Sequence, residues 1–431
     1  MNLVKGRILD SKECDNILEH LEHDILNTLS KGKLNTEIVI NACDKVVSDL
    51  DETYYINAMA ELGIDESMGK NYINEMRNFF NKESLVYRIK TELGNTLDNP
   101  ITFNPPHKKS AVIREIMPLG VLLHVAAGNA DGLPAFSVLE GLLTGNINIL
   151  KLPAEEGGIS VNLLLELIRA EPFLADYIYV FDYSSKDIEH IKRLISVADA
   201  VVVWGGTEAV SALRRLIPPN VKLIEWGHKV SFAYVTKQGI TQIGLEGLAK
   251  NISDTGQLLC SSLQGIFIDT DNMNDIYEFC SIFLPVLEHT IHQNPQKTGI
   301  GIQSQIALKL YAEGLEGIYK HSRIFKGSDC SLIAYPDKII DTSIQFGNAW
   351  VRPLPRTELL QVLRPYKNYL QTVGLLCGQS ELDSLSDMLF KTGIVRVCSG
   401  ENMSSSYCGA PHDGEYPLRR YTKIVNIDYV P

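Results

Sequence analysis

The chain is 431 residues long, with 45% hydrophobic, 21% charged and 8% aromatic residues; these proportions exclude a disordered, collagen-like or coiled-coil protein. Its 40 Lys and Arg stand against 52 Asp and Glu, a formal charge of −12, and a surface this acidic argues against nucleic acid or anionic lipid as partner. A single core stops growing at about 250–300 residues, so two domains are expected.

Met1 to Arg7 show no basic segment followed by an apolar stretch and a small-residue cleavage site, and no apolar run reaches the ~18 residues a membrane span needs. A cytoplasmic protein is expected. Residues 1 to about 100 carry apolar positions at helical spacing, as in Ile17-Leu18, Leu21 and Ile25-Leu26, and read as mostly helical. After Pro118-Leu119-Gly120 the pattern changes to short apolar runs alternating with helical stretches, which predicts a parallel sheet covered by helices. The predicted strands are 121–126, 147–150, 177–181, 200–203 and 221–224, with helices over 132–144, 160–169, 186–195 and 207–216. On such a doubly wound sheet ligands bind past the carboxyl ends of the strands. Beyond Lys229 a second α/β pattern is expected, with strands 232–235, 265–268 and 372–376 and helices 244–252, 273–287 and 304–313.

The eight cysteines are scattered, with no C-x-x-C and no Cys/His cluster at metal-ligand spacing, so neither disulfides nor a metal site is indicated. The chain also lacks G-x-G-x-x-G, G-x-x-x-x-G-K-[ST] and H-E-x-x-H. Five places nevertheless carry residues suited to chemistry. Trp204-Gly205-Gly206-Thr207 falls at a strand-to-helix turn, where free N–H groups and the helix dipole suit a phosphate; the plain reading is a tight turn. Lys151, after the second strand, could reach a ribose hydroxyl or phosphate, or be a solvated surface lysine. Cys260, in a polar stretch before an apolar strand, could be a nucleophile or a small core residue. Asn129 could donate to an oxyanion or cap a helix. Glu225 could be a general base or a solvated carboxylate, and His412-Asp413-Gly414 reads most simply as a turn.

Taken in order, these pieces resemble the aldehyde dehydrogenase superfamily, and most closely its acyl-CoA reductase branch, the LuxC-like fatty-acid reductases. The resemblance runs from about Pro118 to Lys423 and is carried by Leu123 to Asn129, Ala198 to Gly206, Cys260 to Gln264, and Gly409 to Gly414 with Pro417-Leu418. It implies an aldehyde dehydrogenase-like α/β fold: two doubly wound domains with a cleft between them and a helical N-terminal portion. The expected boundaries are a cofactor domain over 1–232, a catalytic thiol domain over 233–410, and a tail over 411–431 packing back on the first. Cys260 is then similar to the family nucleophile and Asn129 to the oxyanion-hole amide. Gly205, Gly206 and Thr207, with Trp204, match the cofactor-phosphate turn, Lys151 the lysine at the adenosine ribose, and Glu155 a residue able to repel a ribose phosphate.

Glu225 aligns with the glutamate that activates a deacylating water in the oxidative enzymes, whereas the Gly-Gln-Leu-Leu-Cys spacing favours the reductases. The resemblance thus implies reduction of an acyl-CoA or other acyl thioester to an aldehyde through an acyl-cysteine, with NADPH more than NADH as reductant. Oxidation of an aldehyde to an acid, or thioester formation without nicotinamide chemistry, remain the alternatives. It further implies an acyl-CoA or acyl-protein donor, an acyl-protein synthetase partner and a homo-oligomer.

Overall fold

The computed structural model describes residues 1–61, 66–94, 99–108, 110–126, 132–153, 158–295 and 299–428. The chain forms two compact units, one of Met1–Gly227 with Tyr407–Pro431 and the other of His228–Ser406.

In the first unit the chain begins with a hairpin, β1 (Asn2–Val4) and β2 (Arg7–Leu9). Five helices follow, Ser11–Ser30, Thr36–Ser48, Glu52–Glu61, Glu66–Phe80 and Lys82–Leu93. Next come β3 (Ile101–Phe103) and β4 (Val112–Pro118). The main sheet is then built by β5 (Val121–Val125), β6 (Ile147–Lys151), β7 (Ile178–Phe181), β8 (Ala200–Gly205) and β9 (Lys222–Gly227). Its order is β2-β1-β7-β6-β5-β8-β9. The five strands β5 to β9 pair in parallel. β6 and β7 are buried along their whole length, as strands covered by helices on both faces must be. The chain works outward from β5 to β7, then returns to place β8 on the other side of β5, so the sheet reverses direction between β5 and β8. That reversal is where an open α/β sheet offers its binding crevice.

The second unit has its own sheet, from β10 (Val230–Val235), β11 (Leu263–Ile268), β12 (Arg323–Lys326), β13 (Ser331–Ala334), β14 (Asn348–Pro353), β15 (Leu370–Leu376) and β16 (Arg396–Cys398). Its order is β12-β13-β14-β11-β10-β15-β16, all parallel except the β12 edge. Back in the first unit, β17 (Thr422–Ile427) pairs antiparallel with β4, which pairs with β3.

The α/β fold with two doubly wound sheets is as expected, and the helix Thr207–Leu216 has the predicted limits. The second sheet has four strands beyond the three expected, β12, β13, β14 and β16, and three further features differ. Residues 2–9 are a hairpin rather than helix: β1 caps the parallel sheet by pairing antiparallel with β7, which protects an edge that would otherwise template aggregation. The three-stranded sheet was not foreseen, because its strands are contributed by segments some 300 residues apart. The expected boundary at 232/233 would cut through β10, whose partners are β11 and β15; the unit begins at His228, before that strand. Likewise the chain returns to the first unit at Tyr407 rather than 411.

The returning segment is anchored by buried charge. Arg88 lies between Glu92 and Glu140, Glu92 accepts from the Leu418 N–H at 2.8 Å, and the Tyr421 hydroxyl donates to Glu140 at 3.3 Å. Buried ions persist when each finds a partner in this way.

Candidate active site residues in the two units

In the second unit, the helix Gln242–Thr255 ends on Gly256 in the left-handed region, φ 56°, and Gln257 follows at φ 65°. Two successive left-handed residues turn the chain sharply, and for a non-glycine residue this conformation needs support. Gln257 supplies it: its amide donates to the carbonyls of Leu263 and Asn348 at 2.9 and 3.3 Å, and its oxygen accepts from Gly347 N–H at 3.1 Å. Gln264 closes the clamp, donating to the Gln257 carbonyl at 2.8 Å and accepting from the N–H and hydroxyl of Ser343, both at 3.0 Å.

Cys260 rides at the tip of this clamped loop. Its carbonyl accepts from the Ser231 hydroxyl at 2.7 Å, and Ser231 Oγ in turn accepts from the Thr372 N–H at 3.1 Å. The serine can do both because the β10 register slips beside it against both neighbouring strands, a bulge that re-aims a side chain. Cys260 Sγ receives the Gln371 amide at 3.4 Å. The loop stands at the amino ends of β10, β11 and β15, not at their carboxyl ends, where the expectation for a doubly wound sheet placed the informative residues.

Cys260 is exposed, whereas the other seven cysteines are buried or half-buried. Burial pushes all seven of those thiols up: Cys14 and Cys408 to about 11, Cys280 and Cys330 to about 12, and Cys43, Cys377 and Cys398 upward. Cys408 gives its S–H to the Ser84 carbonyl at 3.1 Å. A thiol must ionise and be reachable to attack, so the seven are unsuited and Cys260 stands apart.

In the first unit, β8 ends at Gly205, and Gly206, which has no side chain with which to cap, stands at the N-cap of the helix Thr207–Leu216. A Cβ built on Gly206 meets nothing within 4 Å. This exposed turn therefore offers N–H groups that its cap residue leaves uncapped, open space and a positive dipole end. Trp204 itself is committed elsewhere. Its indole N–H donates to Ser137 Oγ at 3.0 Å, and its ring stacks on Trp226 at 5.3 Å and packs against His412 at 5.2 Å. His412 bridges to Glu415 across Asp413-Gly414, both at positive φ, so that segment is a tight turn.

Lys151 closes β6 only 3% exposed, which rules out the solvated surface lysine. Its ammonium donates to Ser185 Oγ at 2.7 Å; burial pulls its pKa below the usual lysine value, while Asp182 pulls it up. Glu225 lies on β9, partly exposed, and accepts from Arg214 Nε at 3.1 Å in an ion pair with that exposed guanidinium. Asn129 and Glu155 lie outside the described residues. Sequence reading missed Gln371, Ser231, Ser185 and Arg214. Among the described residues, no group of three or more His, Cys, Asp or Glu could hold a metal ion, and no helix is long and apolar enough to cross a membrane.

Comparison with known proteins bears on these residues. A family model described as acyl-CoA reductase (LuxC) matches residues 32–424. A long-chain acyl-protein thioester reductase of Aliivibrio fischeri is 22% identical over 391 residues, covering 87% of this chain and 77% of that protein. The protein of the same description from Photorhabdus luminescens is 22% identical over 448 residues, covering 99% and 87%. Among solved structures, an NAD-dependent aldehyde dehydrogenase from Sinorhizobium meliloti superposes with a TM-score of 0.75 at 11% identity, covering 99% of this chain and 94% of that one. An NAD-dependent benzaldehyde dehydrogenase from Corynebacterium glutamicum gives a TM-score of 0.67 at 12% identity, also covering 99% and 94%. At these identities the structural likeness speaks for the fold alone.

Proposed function

The chain belongs to the acyl-CoA reductase (LuxC) family, and from that membership we propose that it reduces a long-chain acyl thioester to the aldehyde through an acyl group carried on Cys260. The observation that carries this assignment is the exposure of Cys260 on a clamped loop while burial raises the other seven thiols.

The Cys260 thiolate attacks the thioester carbonyl, forming the new S–C bond and a tetrahedral oxyanion. The Cys260 backbone N–H is the donor proposed for that oxygen; loss of one such donor costs about 3 kcal/mol in other enzymes. Collapse expels the donor thiolate and leaves acyl-Cys260. The residues present fit a nicotinamide dinucleotide: the turn at Gly205, Gly206 and Thr207 offers uncapped N–H groups and open space to a phosphate, and Lys151 brings an ammonium to the end of the adjacent strands. When bound in reduced form, that cofactor supplies the hydride that takes the acyl carbon to the aldehyde level. Departure of the aldehyde returns Cys260 to the thiolate.

The Lys151 ammonium favours NADPH over NADH. The donor is acyl-CoA, as the family description suggests, or an acyl-protein, as the names of the relatives suggest, and an acyl-protein synthetase is the natural supplier of the latter. The enzyme acts in the cytoplasm as a homo-oligomer. Glu225 is held by Arg214, which removes support from a role as the base of an oxidative reaction. Incubation with acyl-CoA and NADPH tests the assignment. Cofactor oxidation with aldehyde formation is expected, and acid formation from aldehyde and NAD without CoA would replace reduction by oxidation.

A further inference from the structure

Gln371 is the second residue of β15, a strand otherwise made of Leu370, Thr372, Val373, Gly374, Leu375 and Leu376 and buried throughout. It is only 6% exposed. A carboxamide in such a place costs free energy unless its donors are used, and it spends one on Cys260 Sγ at 3.4 Å. A neutral thiol is a weak acceptor, whereas a thiolate makes a charge-assisted hydrogen bond roughly twice as strong as a neutral one. The contact therefore gains most when Cys260 is ionised. The next residue, Thr372, reaches the same loop, since its N–H holds Ser231 Oγ, which holds the Cys260 carbonyl. Two consecutive residues of β15 thus fix both ends of the cysteine, Gln371 the sulfur and Thr372, through Ser231, the backbone.

Two of the charged groups on the surrounding elements are engaged with backbone carbonyls. Lys229, ahead of β10, gives its ammonium to the Asn368 carbonyl at 2.9 Å. Arg396, on β16 beside β15, spends its guanidinium on the carbonyls of Asn402, Met403 and Ser405. Asp254, on the helix before the loop, has its pKa raised by burial against the opposing pull of Lys250.

We propose that Gln371 is a positioning residue for the nucleophile: its amide N–H favours the thiolate of Cys260 and aims the sulfur. This rests on the assignment of Cys260 as the acyl carrier, and the test separates the two. The rate of iodoacetamide alkylation at Cys260, read by peptide mass spectrometry across pH in the intact chain, gives the midpoint of thiol ionisation. Gln371→Met, which keeps the volume and removes the donor, is expected to move that midpoint up by about one pH unit or more. Gln371→Glu is expected to move it further, by adding a negative charge. If Gln371→Met does not fold, Gln371→Asn decides, because its donor is drawn back by a methylene and the same upward direction is expected. An unmoved midpoint in a folded variant overturns the proposal. Failure of acyl-CoA to acylate Cys260 in the unaltered chain overturns instead the assignment of the nucleophile, an outcome read independently of the alkylation profile.

Discussion

The two units share an architecture and use opposite ends of it. In the first, Lys151 and the Gly205-Gly206 turn lie at the carboxyl edge of the sheet, the turn at the N-terminus of the helix Thr207–Leu216. In the second, the sulfur of Cys260, the proposed nucleophile, lies at the amino ends of β10, β11 and β15, on a loop held by Gln257, Gln264 and Ser231. The difference follows from what each task requires. Binding a phosphate needs free donors and a dipole, which a strand-to-helix turn provides without side chains. Holding a nucleophile needs several fixed side chains converging on one backbone position, and the starts of neighbouring strands can supply them. Carboxyl edges therefore guide a search for binding sites better than a search for nucleophiles.

If this division of labour is right, changes in the second unit strike acyl transfer and changes in the first strike cofactor affinity or stability. Cys260→Ala is the strongest test, with loss of turnover by at least about 10³-fold expected in an acyl-CoA and NADPH assay; residual activity near that of the unaltered chain would dissolve the comparison. Next comes the acid sensitivity of the first unit. His124 is fully buried between Ser137 and Asn148, and burial brings its pKa down from 6.5 to about 4. The unfolded chain takes up that proton first, so this stabilisation is complete above about pH 6.5. It falls as pH drops toward 4, by about 3 kcal/mol in full. Acid titration of unfolding should show a shallower limb in His124→Gln than in the unaltered chain.

Lys151→Met should weaken NADPH binding by about tenfold, or roughly 1.4 kcal/mol, while leaving acylation of Cys260 intact; calorimetry of cofactor binding measures it. Gly206→Ala sharpens the point. Its Cβ meets nothing within 4 Å and its φ of −69° is ordinary, so the melting temperature should not move while cofactor affinity drops a few-fold. A drop in both would make the turn structural. Glu225→Gln should be the mildest, changing reductive turnover by no more than about twofold, since its carboxylate serves Arg214. A loss of a hundredfold would return it to the reaction.

Much of this was legible in the sequence. The five parallel strands of the first unit announce themselves as short, mostly apolar runs, interrupted by few polar residues such as His124, Asn148 and Glu225, and the helix Thr207–Leu216 is bounded by glycine before it and Ile217-Pro218 after it. The short strands β1, β2 and β16 have three residues each, too few for alternation to register, and β17 finds β4 only after the chain has traversed the other unit. Cys260 could be singled out, and the apolar neighbours of Cys14, Cys43, Cys280 and Cys377 already mark them as core residues, whereas Cys398 and Cys408 could be set aside only once burial was visible. Lys151 looked the same in sequence whether solvated or buried. Gln371 carries no motif; a lone polar residue in an apolar strand shows its purpose only when the sulfur opposite it is located.

The account turns on Cys260 as the acyl carrier, and the most direct measurement is mass spectrometry of the folded chain after exposure to long-chain acyl-CoA without reduced cofactor. The expected result is one acyl group, mapped to the peptide containing Cys260 and lost from it when NADPH is added. An acyl group on another cysteine, or none on a chain shown to be folded, would contradict the account.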